Sequence, residues 1–390
     1  MTSIIVKFTK SVSTDRSILN YGSLSSDPEE LAHTTVETAN LSPADRKALE
    51  DSPQHLVADE MQLELIKSVA TPQGEILAST NSDNSIAWGI EAVEAHSSSF
   101  NGQGVSVAVL DTGIDASHPA FAGVNIVERN FTAQPDGDQD GHGTHCAGTI
   151  FGRDVDGKRI GVAPGVTQAF IAKVIPAGTA ALVNALNWAF AQNAHVASMS
   201  LGIDFPGFVK RQVEQRGLDI RSATSIALTQ YRANLAVIDA QLAMFKAQEL
   251  GSNTGMVVVA ATGNESKRPN YTIAAAPPSA GINVVSVGAL SKQQNGFGIA
   301  NFSNTNPIVA APGVDILSAR AGVGDLITMS GTSMACPHVA GIAALYWHEA
   351  LMGLSGQANA SMVAARVAVN TKQIGISRQD VGNGLAISPQ

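Results

Sequence analysis

The sequence predicts an α/β protein in which a parallel β-sheet is sandwiched by helices and preceded by a small α+β unit. Apolar runs of strand length recur after residue 100, at 105–110, 169–175, 196–201, 256–261, 284–287 and 308–311. Helical patterns lie between several of these runs, as at 180–192, and another follows the last run at 334–351. Because strands covered on both faces are apolar throughout, this alternation indicates a parallel sheet with helices on each side.

Length and composition limit the classes of protein that the chain could form. Its 390 residues predict two domains or three, and 44% hydrophobic residues are enough for a large core. A net charge of −9 without any basic run argues against nucleic acid as a partner. No window resembles a membrane span, and the first residues lack the pattern of a signal peptide. The compartment therefore stays open: we expect an intracellular protein, or a secreted one whose signal has been removed.

Residues 1–80 have the features of a separate small unit. An apolar strand is predicted at 4–8 and another at 55–58. Between them a helix is expected to begin after Ser42, because serine is a good N-cap and Pro43 suits the first helical position. A loose polar linker follows at about 71–85, so the boundary to the large domain is placed at 80–81.

One stretch of the large domain, residues 203–255, is longer than a single crossover helix requires. Apolar residues recur inside it at alternating spacings of three and four, from Leu228 to Phe245. This spacing predicts an amphipathic helix over about 221–250. We expect its apolar side to pack on the protein's own sheet; the alternative is that it projects and contacts the N-terminal unit or a second copy.

The first of three chemical motifs, VLDTGID, places Asp111 at the end of a predicted buried strand. A carboxylate fixed there can orient a histidine and stabilise its charged form. For Asp-Thr-Gly alone, an aspartate that caps a turn is the competing interpretation. Aspartic proteases also carry this tripeptide, but they need two copies and this chain has one.

The second motif, GHGTHCAGT, surrounds His142 with glycines that allow close approach of the backbone. His142 and His145 could share one helix face and bind a metal, but no third ligand stands in a matching context. We therefore expect no metal site here, and we expect His145 to be a packed, hydrogen-bonded core residue.

The third motif, SGTSMACPHVAG, places Ser333 at the start of an apolar helix. The unpaired N–H groups at a helix N-terminus could stabilise an oxyanion next to the serine Oγ, although a serine there could also be a plain N-cap. Asn264 follows a strand in the segment ATGN, where its amide could donate to the same oxyanion or belong to an ordinary turn.

Together the segments DTGID, HGTHCAGT, MSLG, ATGN and GTSMACPHVAG make residues 85–390 resemble the subtilisin-like serine proteases, with HGTHCAGT most similar to the proteinase K branch. The resemblance implies that Ser333 attacks the scissile carbonyl, that His142 takes its proton and that Asp111 orients the imidazole. It also implies that Asn264 and the Ser333 N–H form the oxyanion hole.

The same resemblance implies how peptides bind and how the enzyme is made. Ser200, Leu201 and Gly202 would pair with an extended substrate as an added strand. Residues 1–80 would be a propeptide that assists folding and inhibits the catalytic domain, residues 81–390, until the chain cuts itself within about 71–85. Protein or peptide substrates are expected, and the chemistry requires no cofactor. Structural calcium, which many relatives bind, is not supported by a clear motif.

Two other functions would preserve these motifs or most of them. A peptide ligase or macrocyclase would use the same triad and transfer the acyl group to an amine instead of water. An inactive relative would bind peptides without cleaving them, although all four catalytic positions are present.

Overall fold

The structure is a computed structural model that describes residues 2–8, 34–69, 85–249, 255–353 and 359–390. The N-terminal part forms β1 (Ser3–Phe8), β2 (Thr34–Ala39), α1 (Pro43–Glu50), β3 (His55–Asp59) and β4 (Leu63–Leu65). The remainder forms α2 (Trp88–Ala92), β5 (Ser106–Asp111), β6 (Asn125–Asn130), α3 (His142–Phe151), β7 (Gln168–Lys173), α4 (Thr179–Ala191), β8 (Val196–Met199), β9 (Leu201–Ile203), α5 (Phe205–Arg216), α6 (Ile220–Glu249), β10 (Val257–Ala261), β11 (Val284–Gln293), β12 (Gly296–Ile299), β13 (Val309–Pro312), β14 (Ile316–Ala319), β15 (Leu326–Met329), α7 (Thr332–Leu351), α8 (Ala360–Val369), β16 (Thr371–Lys372), α9 (Arg378–Val381) and β17 (Leu385–Ala386). The predicted linker and cleavage window, 71–85, lie outside the described residues except for residue 85.

A large central sheet organises the main domain. Its strands follow the order β16-β17-β13-β11-β10-β8-β5-β7-β6 within the described residues, and β12 pairs with β11. Neighbours from β6 to β17 run parallel, whereas the β11–β12 and β16–β17 pairs are antiparallel. The predicted α/β class with its parallel sheet is therefore confirmed, with short antiparallel additions that the sequence did not indicate.

Both faces of this sheet are covered, as β5 shows. Val107 and Val109 pack into the cluster that contains α3 and α7, whereas Ala108 and Leu110 pack into the cluster that contains α4 and α6. Since successive side chains of a strand point to opposite faces, a strand buried on both sides is apolar in its interior, as at residues 107–110, and the buried polar residues Ser106 and Asp111 stand at the two ends of β5. No helix of the described segments combines the length and apolarity needed to cross a membrane.

The N-terminal residues form a separate three-stranded antiparallel sheet in the order β2-β1-β3. Its helix α1 begins as predicted: the Ser42 side chain accepts a hydrogen bond from the Asp45 N–H at 3.2 Å, and Pro43 occupies the first turn. One face of the sheet, represented by Val6, packs against Val183 of α4 and Val237 of α6. The unit is thus seated on two helices of the main domain.

The insertion contains α5 and the long helix α6, whose range agrees with the predicted 221–250 within the described residues. Ile238, Leu242 and Phe245 of α6 pack with the central sheet, whereas Val237 packs with the N-terminal unit. The expected packing on the protein's own sheet is therefore observed; α6 does not project, but another face of it contacts the N-terminal unit. The predicted stripe was wrong at its start, because the Leu228 side chain is 51% exposed.

Polar side chains of α6 account for the contact that the apolar pattern missed. The Gln230 Oε1 atom accepts a hydrogen bond from the Asp59 N–H at 2.7 Å, and Asn234 Nδ2 donates to the Asp59 carbonyl at 2.9 Å. Thr34 Oγ1 donates to Gln241 Oε1 at 2.7 Å. Buried polar groups need such partners, so these three side chains fit the N-terminal unit although hydrophobic periodicity ignores them.

Candidate active site

Three predicted catalytic side chains meet at the carboxyl ends of the central strands. Asp111 is the last residue of β5, His142 is the first residue of α3 and Ser333 is the second residue of α7. All three are buried beneath the chain that crosses the site, with exposed fractions of 1%, 2% and 0%. Parallel strands deliver their carboxyl ends to one edge, which brings together residues that are 222 positions apart between Asp111 and Ser333.

The aspartate and the histidine form a buried pair. His142 Nδ1 lies 2.8 Å from Asp111 Oδ1, and the same oxygen accepts a hydrogen bond from the Thr112 N–H at 2.8 Å. Close approach of α3 to the end of β5 requires glycine at 143, because a Cβ atom there would lie 2.1 Å from the Gly113 carbonyl oxygen. The arrangement fixes which imidazole nitrogen faces the carboxylate and leaves Nε2 for proton transfer.

The electrostatics of this pair determine the basicity of His142. Burial lowers the pKa of the imidazole, but Asp111, through its charge and hydrogen bond, and Cys146, whose Sγ lies 3.8 Å from Nδ1, outweigh burial and raise the pKa well above the usual 6.5. A raised pKa makes the imidazole a stronger base and stabilises the imidazolium that forms when a serine is deprotonated.

We expect the acid limb of the kcat/KM profile of the proteolytically processed protein to have its midpoint above pH 6.5. Only the neutral imidazole can accept a proton, so a raised pKa means that activity is lost as pH falls through a value above 6.5. Hydrolysis of a neutral chromogenic peptide between pH 5 and 10 measures this midpoint. A midpoint at or below 6.5 would contradict the inferred coupling of Asp111 to His142.

A segment of the chain itself, residues 63–69, crosses the site and is called the cleft segment below. Ser333 Oγ donates a hydrogen bond to the Ile66 carbonyl oxygen at 2.5 Å. Because a hydroxyl has one proton, Ser333 does not also donate to His142 Nε2, and that nitrogen has no partner among the described residues. Ser333 and His142 are therefore both covered by a peptide, and no hydrogen bond joins the Ser333 hydroxyl to His142 Nε2.

The predicted peptide-binding residues pair with this segment. In the antiparallel ladder of β4 and β9, Leu65 lies opposite Leu201 and Glu64 lies opposite Gly202. The Ile66 N–H donates to the Ser200 carbonyl at 3.4 Å. The main chain of the cleft segment thus adds a strand to the edge formed by Ser200, Leu201 and Gly202.

Asn264 lies beside Ser333 with its amide orientation fixed. The Oδ1 atom accepts hydrogen bonds from the Thr332 N–H at 2.8 Å and from Thr332 Oγ1 at 2.9 Å. A backbone N–H can only donate, so Nδ2 must point the other way, into the site, where it donates to the Lys67 carbonyl at 2.9 Å. Thr332, the residue before Ser333, thus fixes the orientation of the Asn264 amide. The carbonyl oxygen that Asn264 Nδ2 contacts belongs to Lys67, not to Ile66.

Near the triad, His145 packs as the sequence predicted, and two cysteines are buried as well. His145 Nε2 hydrogen-bonds to the Ile316 carbonyl at 2.9 Å, and burial lowers its pKa to about 3. Cys146 and Cys336 are free and buried. Asp111, His142 and Cys146 have ligand-type atoms within 4.8 Å of one another among the described residues. Burial raises the pKa of the Cys146 thiol, which keeps its proton and donates to the Ser333 carbonyl at 3.4 Å, so it is a poor metal ligand in this state.

Sequence reasoning missed the residues that hold the catalytic side chains in place. Asp138, Thr112 and Thr144 form one hydrogen-bonded group between β5 and α3. Lys173 lies opposite Asp111 in the ladder between β5 and β7, with its ammonium group turned to the loop before α3. The only signal was an aspartate shortly before a helix start, and the run PDGDQD offers three such aspartates without distinguishing between them.

Comparison with known proteins places this geometry in context. Residues 102–384 match the Subtilase family. The chain is 37% identical over 286 residues to a cuticle-degrading serine protease of Arthrobotrys oligospora, and this alignment covers 66% of this chain and 58% of that protein. It is 31% identical over 315 residues to an intracellular serine protease of Paenibacillus polymyxa; this alignment covers 77% of this chain and 85% of that protein. It is also 31% identical over 310 residues to the major intracellular serine protease of Bacillus subtilis, with 76% of this chain and 84% of that protein covered. The match thus spans less than two thirds of the first relative and most of the other two.

Proposed function

Because this chain belongs to the subtilase family, we propose that it is a serine endopeptidase that uses Asp111, His142 and Ser333 as its catalytic triad and is made as a self-processing proenzyme. The observation that carries the proposal is the peptide carbonyl of Ile66, which lies 2.5 Å from Ser333 Oγ within a strand added to β9. A site that already holds a peptide in extended form is suited to hydrolysing peptide bonds.

The proposed chemistry follows from the positions of three groups. Ser333 Oγ attacks the carbonyl carbon and passes its proton to His142 Nε2, while Asp111 stabilises the resulting imidazolium through Nδ1. The negative charge that develops on the carbonyl oxygen is stabilised by Asn264 Nδ2 and the Ser333 N–H. His142 then returns the proton to the leaving amine, and water repeats the sequence to release the acyl group.

Side-chain preference is read from the cleft segment. Leu63 and Ile66 are buried, with exposed fractions of 6% and 4%, whereas Glu64 and Lys67 are exposed. The side chains of Leu63 and Ile66, three positions apart, are therefore buried against the main domain. We expect substrates with apolar side chains at the positions that correspond to Leu63 and Ile66.

The N-terminal unit is proposed to be an inhibitory propeptide. It is seated on α4 and α6, and the cleft segment that follows it covers Ser333. Ser333 Oγ and Asn264 Nδ2 bond to two successive carbonyl oxygens, of Ile66 and of Lys67, so the Ile66 oxygen is not the one held by the oxyanion amide. The Ile66 carbonyl would have to rotate before it could react, which would account for latency of the uncut chain. Because this is the carbonyl that Ser333 Oγ contacts, we propose the bond after Ile66 as the first target, in place of a bond within 71–85.

Incubation of the purified full-length chain tests this function. Casein hydrolysis should begin after a lag, a serine-directed fluorophosphonate should label Ser333, and sequencing should find a new N-terminus at Lys67. A Leu63→Asp variant should show a shorter lag, because a carboxylate in that buried position weakens the cleft segment. A Leu63→Ile variant keeps an apolar side chain at the same position and serves as its control.

Three outcomes would contradict parts of the proposal. Failure to hydrolyse casein or to label Ser333 after removal of residues 1–66 would favour an inactive peptide-binding protein. A mature N-terminus within 71–85, the window expected from the sequence, would show that the Ile66 carbonyl is not the first target. Amide products that predominate over hydrolysis when an amine is added, detected by mass spectrometry, would favour a ligase.

A further inference from the structure

Asp138 lies in the loop between β6 and α3, four residues before His142, and its carboxylate is surrounded by donors. Oδ1 accepts hydrogen bonds from Thr112 Oγ1 at 2.8 Å, from the Gly141 N–H at 2.8 Å and from the Asp140 N–H at 3.1 Å. Oδ2 accepts from the Thr144 N–H at 2.9 Å and from Thr144 Oγ1 at 2.6 Å. Two of these five bonds come from the first turn of α3, one from its N-cap Gly141, one from the loop residue Asp140 and one from Thr112, the residue that follows Asp111.

Two threonine hydroxyls extend this group in opposite directions. Thr112, next to Asp111, accepts a hydrogen bond from the Gly143 N–H of α3 at 2.9 Å. Thr144 of α3 accepts one from the Asp115 N–H at 2.9 Å. Each hydroxyl has a single proton, and both protons go to Asp138. The strand end and the helix start are thus cross-connected, with the carboxylate as the acceptor that both connections share.

We propose that Asp138 is a positioning residue of the triad, which sets the distance between Asp111 and His142 through the hydroxyl groups of Thr112 and Thr144. The role rests on the proposed function, because it concerns the geometry of the same triad. Asp138 itself does not touch the peptide carbonyl or Ser333 in the hydrogen bonds described, and it acts through the backbone on each side of the Asp111–His142 pair.

The negative charge is necessary for this arrangement. An ionised carboxylate only accepts hydrogen bonds, and here all five partners donate. An asparagine would place an NH₂ group against either the Gly141 N–H and Thr112 hydroxyl or the Thr144 N–H and hydroxyl, so donors would face donors. Burial alone would raise the pKa of Asp138, but hydrogen bonds from Thr144, Gly141 and Thr112 outweigh it and lower the pKa, which keeps the group ionised.

The loop that carries Asp138 is held from its other side by Lys173. The Lys173 ammonium is buried and donates to the Pro135 carbonyl at 2.7 Å, to the Gly137 carbonyl at 2.8 Å and to Gln139 Oε1. Because Lys173 is opposite Asp111 in the sheet, the loop is anchored to the same strand end that it positions. The carboxylate is therefore not free to follow small displacements of α3.

The test compares single-group replacements in processed, active-site-titrated enzyme. Asp138→Asn should lower kcat by on the order of 10- to 100-fold with KM changed less than threefold, because small displacements of catalytic groups reduce turnover without removing substrate contacts. Thr112→Val and Thr144→Val should each lower kcat by about 3- to 30-fold, while Thr112→Ser and Thr144→Ser, which keep the hydroxyl, should restore it. Asp136→Asn, at an exposed carboxylate two residues earlier in the same loop that makes no hydrogen bond with Asp138, is the matched control and should retain wild-type kinetics.

The pH profile separates positioning from a loss of folded protein. A longer Asp111–His142 contact reduces the effect of Asp111 on the imidazole, so the acid limb should move to lower pH in Thr112→Val, in which the Asp138 charge is retained. A lower fraction of folded enzyme would reduce the amplitude without moving the limb. Should Asp138→Asn fail to fold, the two valine variants carry the test, since each removes one hydroxyl and keeps the side-chain shape.

The proposal would be overturned if Asp138→Asn had wild-type kcat and an unshifted acid limb. It would also be overturned if Asp138→Asn had a lowered kcat while Thr112→Val and Thr144→Val both kept wild-type kcat and an unshifted acid limb. A wild-type chain that hydrolyses no peptide under any condition would instead refute the proposed function. The two failures are therefore distinguishable within the same set of proteins.

Discussion

Replacing Ser333 with alanine is expected to lower peptide hydrolysis by about 10⁶-fold, the loss that follows removal of this serine in subtilisin, a relative in which it has been measured. The change removes one hydroxyl, which in the structure donates only to the Ile66 carbonyl oxygen. Without Oγ no acyl-enzyme can form, and the oxyanion hole and binding alone supply the residual rate. The full-length variant should also remain in one piece, because the same group is expected to cut the chain.

Casein hydrolysis and mass spectrometry of the intact chain measure both effects. Ser225→Ala, at an exposed serine of α6, is the matched control and should process itself and hydrolyse casein normally. The Ser333→Ala chain should keep its cooperative thermal transition, since Ser333 lies in the first turn of α7, whose remaining residues stay packed. Normal casein hydrolysis, or cleavage of the alanine variant in the absence of any active enzyme, would refute the assignment of Ser333.

Replacing Asn264 is expected to lower kcat by about 10²- to 10³-fold with little change in KM, as is known for the oxyanion asparagine of subtilisin. The effect falls on kcat because Nδ2 stabilises negative charge that develops only in the transition state. Asn264→Ala removes the donor and also frees the Thr332 N–H, which now bonds to Oδ1.

Asn264→Asp separates these two roles. Aspartate keeps the shape and the acceptor for Thr332, but it replaces the Nδ2 donor with an oxygen that repels an oxyanion. Its kcat should therefore be at least as low as that of the alanine variant, measured on processed enzyme at several substrate concentrations. An aspartate variant with wild-type kcat would show that Asn264 does not bind the oxyanion, whatever its place in the structure.

The strand and helix pattern of the main domain was predictable because strands buried on both faces of a sheet appear in the sequence as apolar runs. The interior of β5, residues 107–110, is apolar at every position, and α6 was found from its three-and-four spacing to within a residue or so of its observed ends. The way α6 packs was not predictable. Its contact with the N-terminal unit uses Gln230, Asn234 and Gln241, and polar side chains become buried only where a particular partner is present.

In the candidate site, too, some residues could be predicted from the sequence and others could not. Asp111, His142, Asn264 and Ser333 were identified because each stands in a motif whose neighbours, mostly glycines and small residues, are recognisable along the chain. Asp138 was not, because its importance comes from hydroxyl and N–H groups delivered by β5 and α3. One of three similar aspartates in a polar loop becomes a shared acceptor only when those two elements meet.

The sequence by itself determined the α/β class, the elements that carry the chemistry and the residue types at the site, since all of these follow from local spacing and composition. Tertiary structure alone decided that the Ile66 carbonyl meets Ser333, that Asn264 Nδ2 bonds to the next carbonyl, and that Asp138 connects the strand end to the helix start. Each of these contacts joins groups distant along the chain within about 3 Å, and a hydrogen bond depends on position and direction that local sequence does not specify.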